Sequence, residues 1–304
     1  MLNEFNKKLL KYLIFFAKTR WKKGLSMKKR YSQLRAYYRF KEKFQLGLCV
    51  IPLVRRWLKY QLNKKQICEL VRTSENFLVP VDSFNKETRH IQIKGSLDKE
   101  LHWVIHRYVK RGSIAIDVGA NLGFMSLLMA GTVGEEGKVI AIEPNNDLNK
   151  HFYYLMHVNR INNVELLNRV CVDEYTRFPF SVNKHDHKKS KIDSKSDSYI
   201  QSVTIDGIMD NEDAPLSFLK IDVEGFEPKV LAGAIKTISK HRPTLVFETG
   251  SHSKEEIGVM NSIFNDLRYE VVGVIHNWGV EQKSLTLGMT NKTHCNVLAI
   301  PESI

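Results

Sequence analysis

Ile114-Ala-Ile-Asp-Val-Gly-Ala-Asn-Leu-Gly123 decides how the rest of this 304-residue chain is read. Ile114–Val118 is a short apolar run with β-branched residues, suited to a buried parallel strand. Gly119 lets the chain turn tightly as it leaves that strand. Gly119 and Gly123 lack side chains, so a ligand can approach the backbone of Ala120 and Asn121 between them. The N–H groups of such a turn, and the start of the next helix, can receive a carboxylate or a phosphate.

The glycine spacing is G-x-x-x-G, not the G-x-G-x-x-G of dinucleotide sites. Asp117 stands two residues before the first glycine. An acid there fits a ligand with positive charge, such as the amino group of S-adenosylmethionine, and does not suit a pyrophosphate. Downstream, Val139-Ile-Ala-Ile-Glu143-Pro144 reads as a second strand ending in an acid, 20 positions past Gly123. A carboxylate at that point can accept both ribose hydroxyls of an adenosine-containing cofactor. Asp173, just past a third strand over 164–171, fits an acceptor for the adenine amino group; a turn-forming or helix-capping aspartate is the alternative.

Working outward, strands and helices alternate. Helices are expected over 97–110, 124–130, 148–159, 227–240 and 254–267. Further strands are expected over 216–223, 244–248, 270–275 and 295–300. Such alternation implies an α/β fold with a mostly parallel sheet of seven strands and helices on both faces. Ligands then sit beyond the carboxyl ends of the strands, where the strand order reverses. Residues 172–202 break the rhythm. The stretch from Asn183 to Ser198 is polar, charged and low in complexity, and is read as a mobile loop, with a hairpin around it as one arrangement. His185-Asp-His187 with Asp193 and Asp197 lacks zinc-ligand spacing, so no metal is expected.

The segment Phe218-Leu-Lys-Ile-Asp222-Val-Glu224-Gly225-Phe-Glu227-Pro228 ends a strand that should lie beside the first one across the switch point. Asp222 and Glu224 share one side of an extended chain. They are the candidate catalytic acids, with Asp222 first and Glu224 second as base or orienter of an acceptor. Glu227 reads as a first-turn acid complementing a helix dipole.

The net charge of +13 is uneven. Residues 1–72 hold 20 Lys/Arg against three acids, and the remainder is slightly acidic. A basic helical block suits an anionic surface, whether phospholipid, phosphorylated glycolipid or nucleic acid. Its longest apolar run, Leu9–Ala17, is interrupted by Lys11 and is too short to span a bilayer. No cleavage site follows it. The four cysteines form no C-x-x-C pair and suit reduced thiols in a cytoplasmic protein. Two domains follow: a basic, mainly helical extension with a short β lead-in over 1–95, and a catalytic domain over 96–304.

Ile116–Gly123, Ala141-Ile-Glu-Pro-Asn145 with Asn159, and Leu219-Lys-Ile-Asp-Val-Glu-Gly225 followed by Val230–Ala234 and Arg242-Pro243 together resemble the FkbM-type methyltransferase family. The resemblance runs from about Leu97 to Glu248. It implies a Rossmann-like class I methyltransferase fold, S-adenosylmethionine as donor, and a hydroxyl acceptor of the sugar or polyketide kind. Asn146 departs from the family, which often has proline there. The cofactor set is then Asp117, Gly119, Ala120, Asn121, Gly123, Glu143, Pro144 and Asp173. The expected enzyme O-methylates a glycan, glycolipid or related acceptor. It is expected in the cytoplasm, peripheral to the inner face of a membrane that residues 1–72 contact. A nucleic-acid methyltransferase using the basic segment, or a cofactor-binding module without catalysis, are the alternatives.

Overall fold

The computed structural model describes residues 68–82, 88, 91, 96–182, 191–250, 252–276, 279–281 and 294–302. The basic block up to residue 67 and the polar stretch 183–190, with His185 and His187, lie outside them. In chain order the elements are β1 (Cys68–Arg72), β2 (Leu78–Asp82), α1 (Lys99–Tyr108), β3 (Ile114–Val118), α2 (Phe124–Val133), β4 (Lys138–Ile142) and α3 (Asn146–Asn159). There follow β5 (Val164–Leu167), β6 (Val170–Cys171), β7 (Arg177–Ser181), β8 (Lys191–Ile192), β9 (Tyr199–Val203), α4 (Ile205–Met209) and β10 (Leu216–Ile221). The last are α5 (Glu227–Ala232), α6 (Ile235–His241), β11 (Thr244–Thr249), α7 (Lys254–Asp266), β12 (Tyr269–His276), β13 (Gly279–Glu281) and β14 (Cys295–Pro301).

The main sheet has the order β13-β12-β14-β11-β10-β3-β4-β5. Strands β11, β10, β3, β4 and β5 are parallel. β14 runs antiparallel to both β11 and β12. The chain steps outward from β3 through β4 to β5, then returns to place β10 on the other side of β3. The switch point therefore lies between β3 and β10. The sheet has eight strands among the described residues, not seven: β13 folds back on β12 as a hairpin. Three residues are too few to leave a periodic signal in sequence.

Alternation along each strand explains the layering. Ala115, Phe218 and Val246 face one way, into a core shared with Val104 of α1, Leu127 of α2 and Phe152 of α3. Ile116, Leu219 and Phe247 face the other way, packing on Val230 of α5, Ile238 of α6 and Met260 of α7. Both faces are covered, so the central strands are buried throughout. α2 is buried on nearly every side, which is why its apolar residues show no single stripe.

Two elements depart from the sequence reading. The strand expected over 164–171 is divided: β5 pairs with β4, whereas β6 pairs with β9 in a four-stranded sheet with β7 and β8. Asn168 stands at the break. Its side-chain amide donates to the Glu143 and Pro144 carbonyls and draws the chain across the β4–α3 turn. The helix expected over 227–240 is also two. Gly233 packs so closely on Val172 that a Cβ there would overlap its carbonyl oxygen. α6 starts afresh beyond it, with the Asp206 carboxylate accepting from Lys236 N and Thr237 N. The hairpin β7–β9 frames the polar stretch. β1 and β2 form a separate hairpin, fastened to α3 by paired hydrogen bonds between Leu78 and Asn159.

Candidate active site

The carboxyl edge of the sheet is organised by register. Asp117 on β3 lies opposite Lys220 on β10, and Lys220 opposite Val246 on β11. These three share one face. One residue pair further on, Gly119, Asp222 and Glu248 follow on that same face, with Asn296 on β14 opposite Glu248. A polar row thus crosses the switch point.

The glycine turn forms the first part. Gly119 N and Ala120 N both donate to Ile142 O, tying the turn to β4. Gly119 and Gly123 have φ of 76° and 86°, and Asn121 a φ of 51°. These are left-handed conformations that favour glycine and tolerate asparagine. A Cβ on Gly119 would overlap the Asp222 carbonyl oxygen, and one on Gly123 would enter the Phe152 ring. The glycines are therefore required by packing within the chain itself.

Asp117 is fully buried. Its Oδ2 accepts from Ser126 Oγ at 2.6 Å, and its Oδ1 lies 3.0 Å from Lys220 Nζ. Lys220 also stands 3.5 Å from Asp222 Oδ2. Burial alone would lower the Lys220 pKa, but the charges of Asp117 and Asp222 outweigh it and hold the ammonium above its ordinary value. Lys220 escaped the sequence reading, although a lysine inside a mostly apolar strand is a signal in its own right.

Glu143 follows β4, 6% exposed. Its Oε2 accepts from Asn121 N at 2.9 Å and its Oε1 from Asn145 N at 2.8 Å. Burial pushes its pKa up to about 7, against the pull of those two hydrogen bonds. Each oxygen keeps a second lone pair for a ligand hydroxyl. Pro144 is half-buried beside it, and its carbonyl accepts from Asn168. Asn121 Oδ1 is buried with no hydrogen-bond partner among the described residues. An orphaned acceptor beside a glycine cradle fits a ligand that brings a donor. Asp173 follows β6 and is exposed. The residue at the end of β5, nearest the Glu143–Pro144 turn, is Asn168.

Asp222 and Glu224 lie past the end of β10, the first with its side chain 37% exposed and the second exposed. The structure brings Asp222 against Gly119 through its backbone. Glu227 does open α5, but its side chain turns back instead of simply facing the helix dipole. Its Oε1 accepts from Val223 N and its Oε2 from Gly225 N, both at 2.9 Å. His252 Nε2 lies 2.7 Å from that second oxygen, and the hydrogen bond raises the His252 pKa. This buried pair clamps the loop that carries Asp222 and Glu224. On β11, Glu248 has its pKa raised to about 7, by burial first and then by the charges of Asp222 and Glu224. His294, 3.5 Å away, pulls the other way. His252 and His294 carry no local sequence signature, since each meets its partner only through folding.

A family model, the methyltransferase FkbM domain, matches residues 117–271, which hold every site element above except His294 and Asn296. The chain belongs to the FkbM methyltransferase family. Its doubly wound sheet is the Rossmann-like fold of class I methyltransferases. Among solved structures, a methyltransferase FkbM from Methylobacillus flagellatus KT is 17% identical, with a TM-score of 0.43, covering 69% of this chain. The chain spans 52% of that protein's length. A SAM-dependent methyltransferase from Aquifex aeolicus is 18% identical, at a TM-score of 0.37, over 67% of this chain and 90% of the other. An rRNA methylase from Streptococcus thermophilus is 14% identical, at 0.40, over 66% and 94%. No curated protein matches the sequence. Among the described residues, no helix is long and apolar enough to cross a membrane.

Proposed function

We propose that the protein transfers a methyl group from S-adenosylmethionine to a hydroxyl oxygen. One observation carries the reading beyond family membership. The cofactor-type turn and the candidate acid are one packed unit, because Gly119 abuts the Asp222 backbone. A donor held by that turn would therefore have Asp222 as a neighbour.

S-adenosylmethionine supplies a methyl group already activated on a sulfonium, so the protein's main task is alignment. Ala120, Asn121 and Gly123 offer backbone and the free Asn121 Oδ1. Glu143, with Pro144 shaping its turn, offers the carboxylate for ribose hydroxyls. Asp173 is retained as the acceptor for the adenine amino group. Asp117 supports the turn from beneath, through Ser126 and Lys220, and has no exposed atom of its own. Asp222 orients the acceptor hydroxyl and takes its proton as attack proceeds, with Glu224 beside it.

The acceptor in this reading is a glycan or lipid-linked glycan at an anionic membrane surface on the cytoplasmic side. The support is the strongly basic composition of residues 1–72. The full chain is incubated with labelled S-adenosylmethionine and separate glycan, glycolipid and RNA fractions. Label in the glycan or glycolipid fraction is expected, and label confined to RNA overturns the acceptor class. Asp222→Asn should bind the cofactor as the parent does and lose about 10²–10⁴-fold in turnover. Unchanged turnover removes Asp222 from its role. Liposome flotation with and without residues 1–72 checks the membrane contact, and equal flotation of the two removes it.

A further inference from the structure

Beyond methyl transfer itself, the geometry points to a divalent metal site at Glu224, Glu248 and His294, on the acceptor side of the sheet. One ligand atom from each of these residues lies within 4.8 Å of the other two. Atoms this near one another can converge on one ion, whose adjacent ligands stand about 3–3.5 Å apart when its bonds are about 2.0–2.3 Å. His294 Nδ1 stands 3.5 Å from Glu248 Oε2, longer than a good direct hydrogen bond and near the separation of adjacent ligands around a metal.

Three features separate this group from an ordinary patch of surface acids. It contains an imidazole, which with two carboxylates makes a mixed nitrogen and oxygen donor set. It lies in the polar row that also holds Asp222, so three acids meet there, and Lys220 is already paired with Asp117 at closer range. Finally, Asn296, the cross-strand partner of Glu248 on the same face, has a buried Oδ1 with no hydrogen-bond partner among the described residues. A buried oxygen without a donor is costly, and an ion-bound water supplies one.

The three ligands come from three places: the loop after β10, the end of β11 and the residue just before β14. A strand holds Glu248, His294 leads directly into another, and the Glu227–His252 clamp steadies the loop that holds Glu224. Such an ion would stand in the polar row that holds Asp222. Its use in transfer rests on the reading above: it would hold the acceptor's oxygen and ease removal of the proton toward Asp222. The donor set suits first-row ions that accept both imidazole and carboxylate, with Mn²⁺ as the practical probe.

The test uses the full chain, freed of metal by a chelator and titrated with Mn²⁺, with the free ion read from its paramagnetic resonance signal. One Mn²⁺ per chain is expected. Glu248→Gln and His294→Ala should each weaken it by at least about tenfold. Asp193→Asn, on a turn of the small sheet, should leave it unchanged. His294 is half-exposed, so its variant is expected to fold even if Glu248→Gln does not. No stoichiometric Mn²⁺ binding, or binding untouched in His294→Ala, overturns the site. S-adenosylmethionine affinity is measured calorimetrically on the same samples without metal. Loss of Mn²⁺ with cofactor binding intact sinks the metal site alone, and Mn²⁺ bound by a chain that never binds the cofactor sinks the methyltransferase reading alone.

Discussion

On the β3–β4 side of the carboxyl edge, each carboxylate oxygen is already held by the chain. Asp117 is taken by Ser126 and Lys220, and Glu143 by the N–H groups of Asn121 and Asn145. On the β10–β11 side, Asp222, Glu224 and Glu248 stand together, partly exposed, with His294 3.5 Å from Glu248 and Lys220 3.5 Å from Asp222. The first region uses its acids to hold a backbone shape. In the second, Glu227 holds the loop through backbone donors and is set back from the surface. A site that must present a fixed cradle and also react needs both kinds of carboxylate. The two kinds can be told apart by their partners, not by their residue type.

Lys220 joins the two regions, so removing it tests the division most severely. Lys220→Met leaves the Asp117 charge buried without its cation, and should cost about 3–5 kcal/mol in denaturant unfolding. Adding Asp117→Asn should recover much of that loss, whereas adding Asp222→Asn should recover little. The opposite pattern would mean that Lys220 serves the reactive side first.

Gly119→Ala strikes the seam from the other direction. Positive φ and overlap with the Asp222 carbonyl together should cost about 2–4 kcal/mol and abolish calorimetric cofactor binding. A variant that keeps both stability and binding would break the idea of one packed unit.

Glu143 and Glu248 both have pKa values near 7, raised first by burial in each case, and substitution separates their contributions. A carboxyl whose folded pKa lies above its unfolded value contributes stability that is full below about pH 4.5. That stability is lost as pH rises through 7, because the folded state keeps a proton that the unfolded chain has released. Glu143 should account for about 3 kcal/mol of such a fall. Glu143→Gln should flatten its share of the slope between pH 4.5 and 7 and leave the share of Glu248 in place. An unchanged slope would show that Glu143 is ionised throughout.

The smallest effect is expected at the clamp. His252→Ala leaves Glu227 its two backbone donors but removes its buried partner, and should cost about 1–2 kcal/mol. Turnover should fall while cofactor affinity holds, since the loop of Asp222 loosens and the glycine turn does not. An equal loss in both would place the clamp in the first region instead.

Much of this was legible in the residues. The strand, turn and helix around Asp117–Gly123 were readable because each is a local matter: β-branched residues, glycines at positive φ, then an apolar run. Glu143 and Asp222 were found because they end such strands. The divided strand at Asn168 and the divided helix at Gly233 were not, since both breaks answer to partners far along the chain. His252 and His294 were visible only as histidines.

What the sequence by itself determined was the order of elements, the class of fold and the identity of the turn, because periodicity and backbone freedom act over a few residues. Only the tertiary structure decided which acids hold the turn and which remain available for chemistry. Sheet register sets that outcome: it places Lys220 opposite Asp117, Asn296 opposite Glu248, and Asp222 against Gly119, pairings between residues as much as about a hundred positions apart.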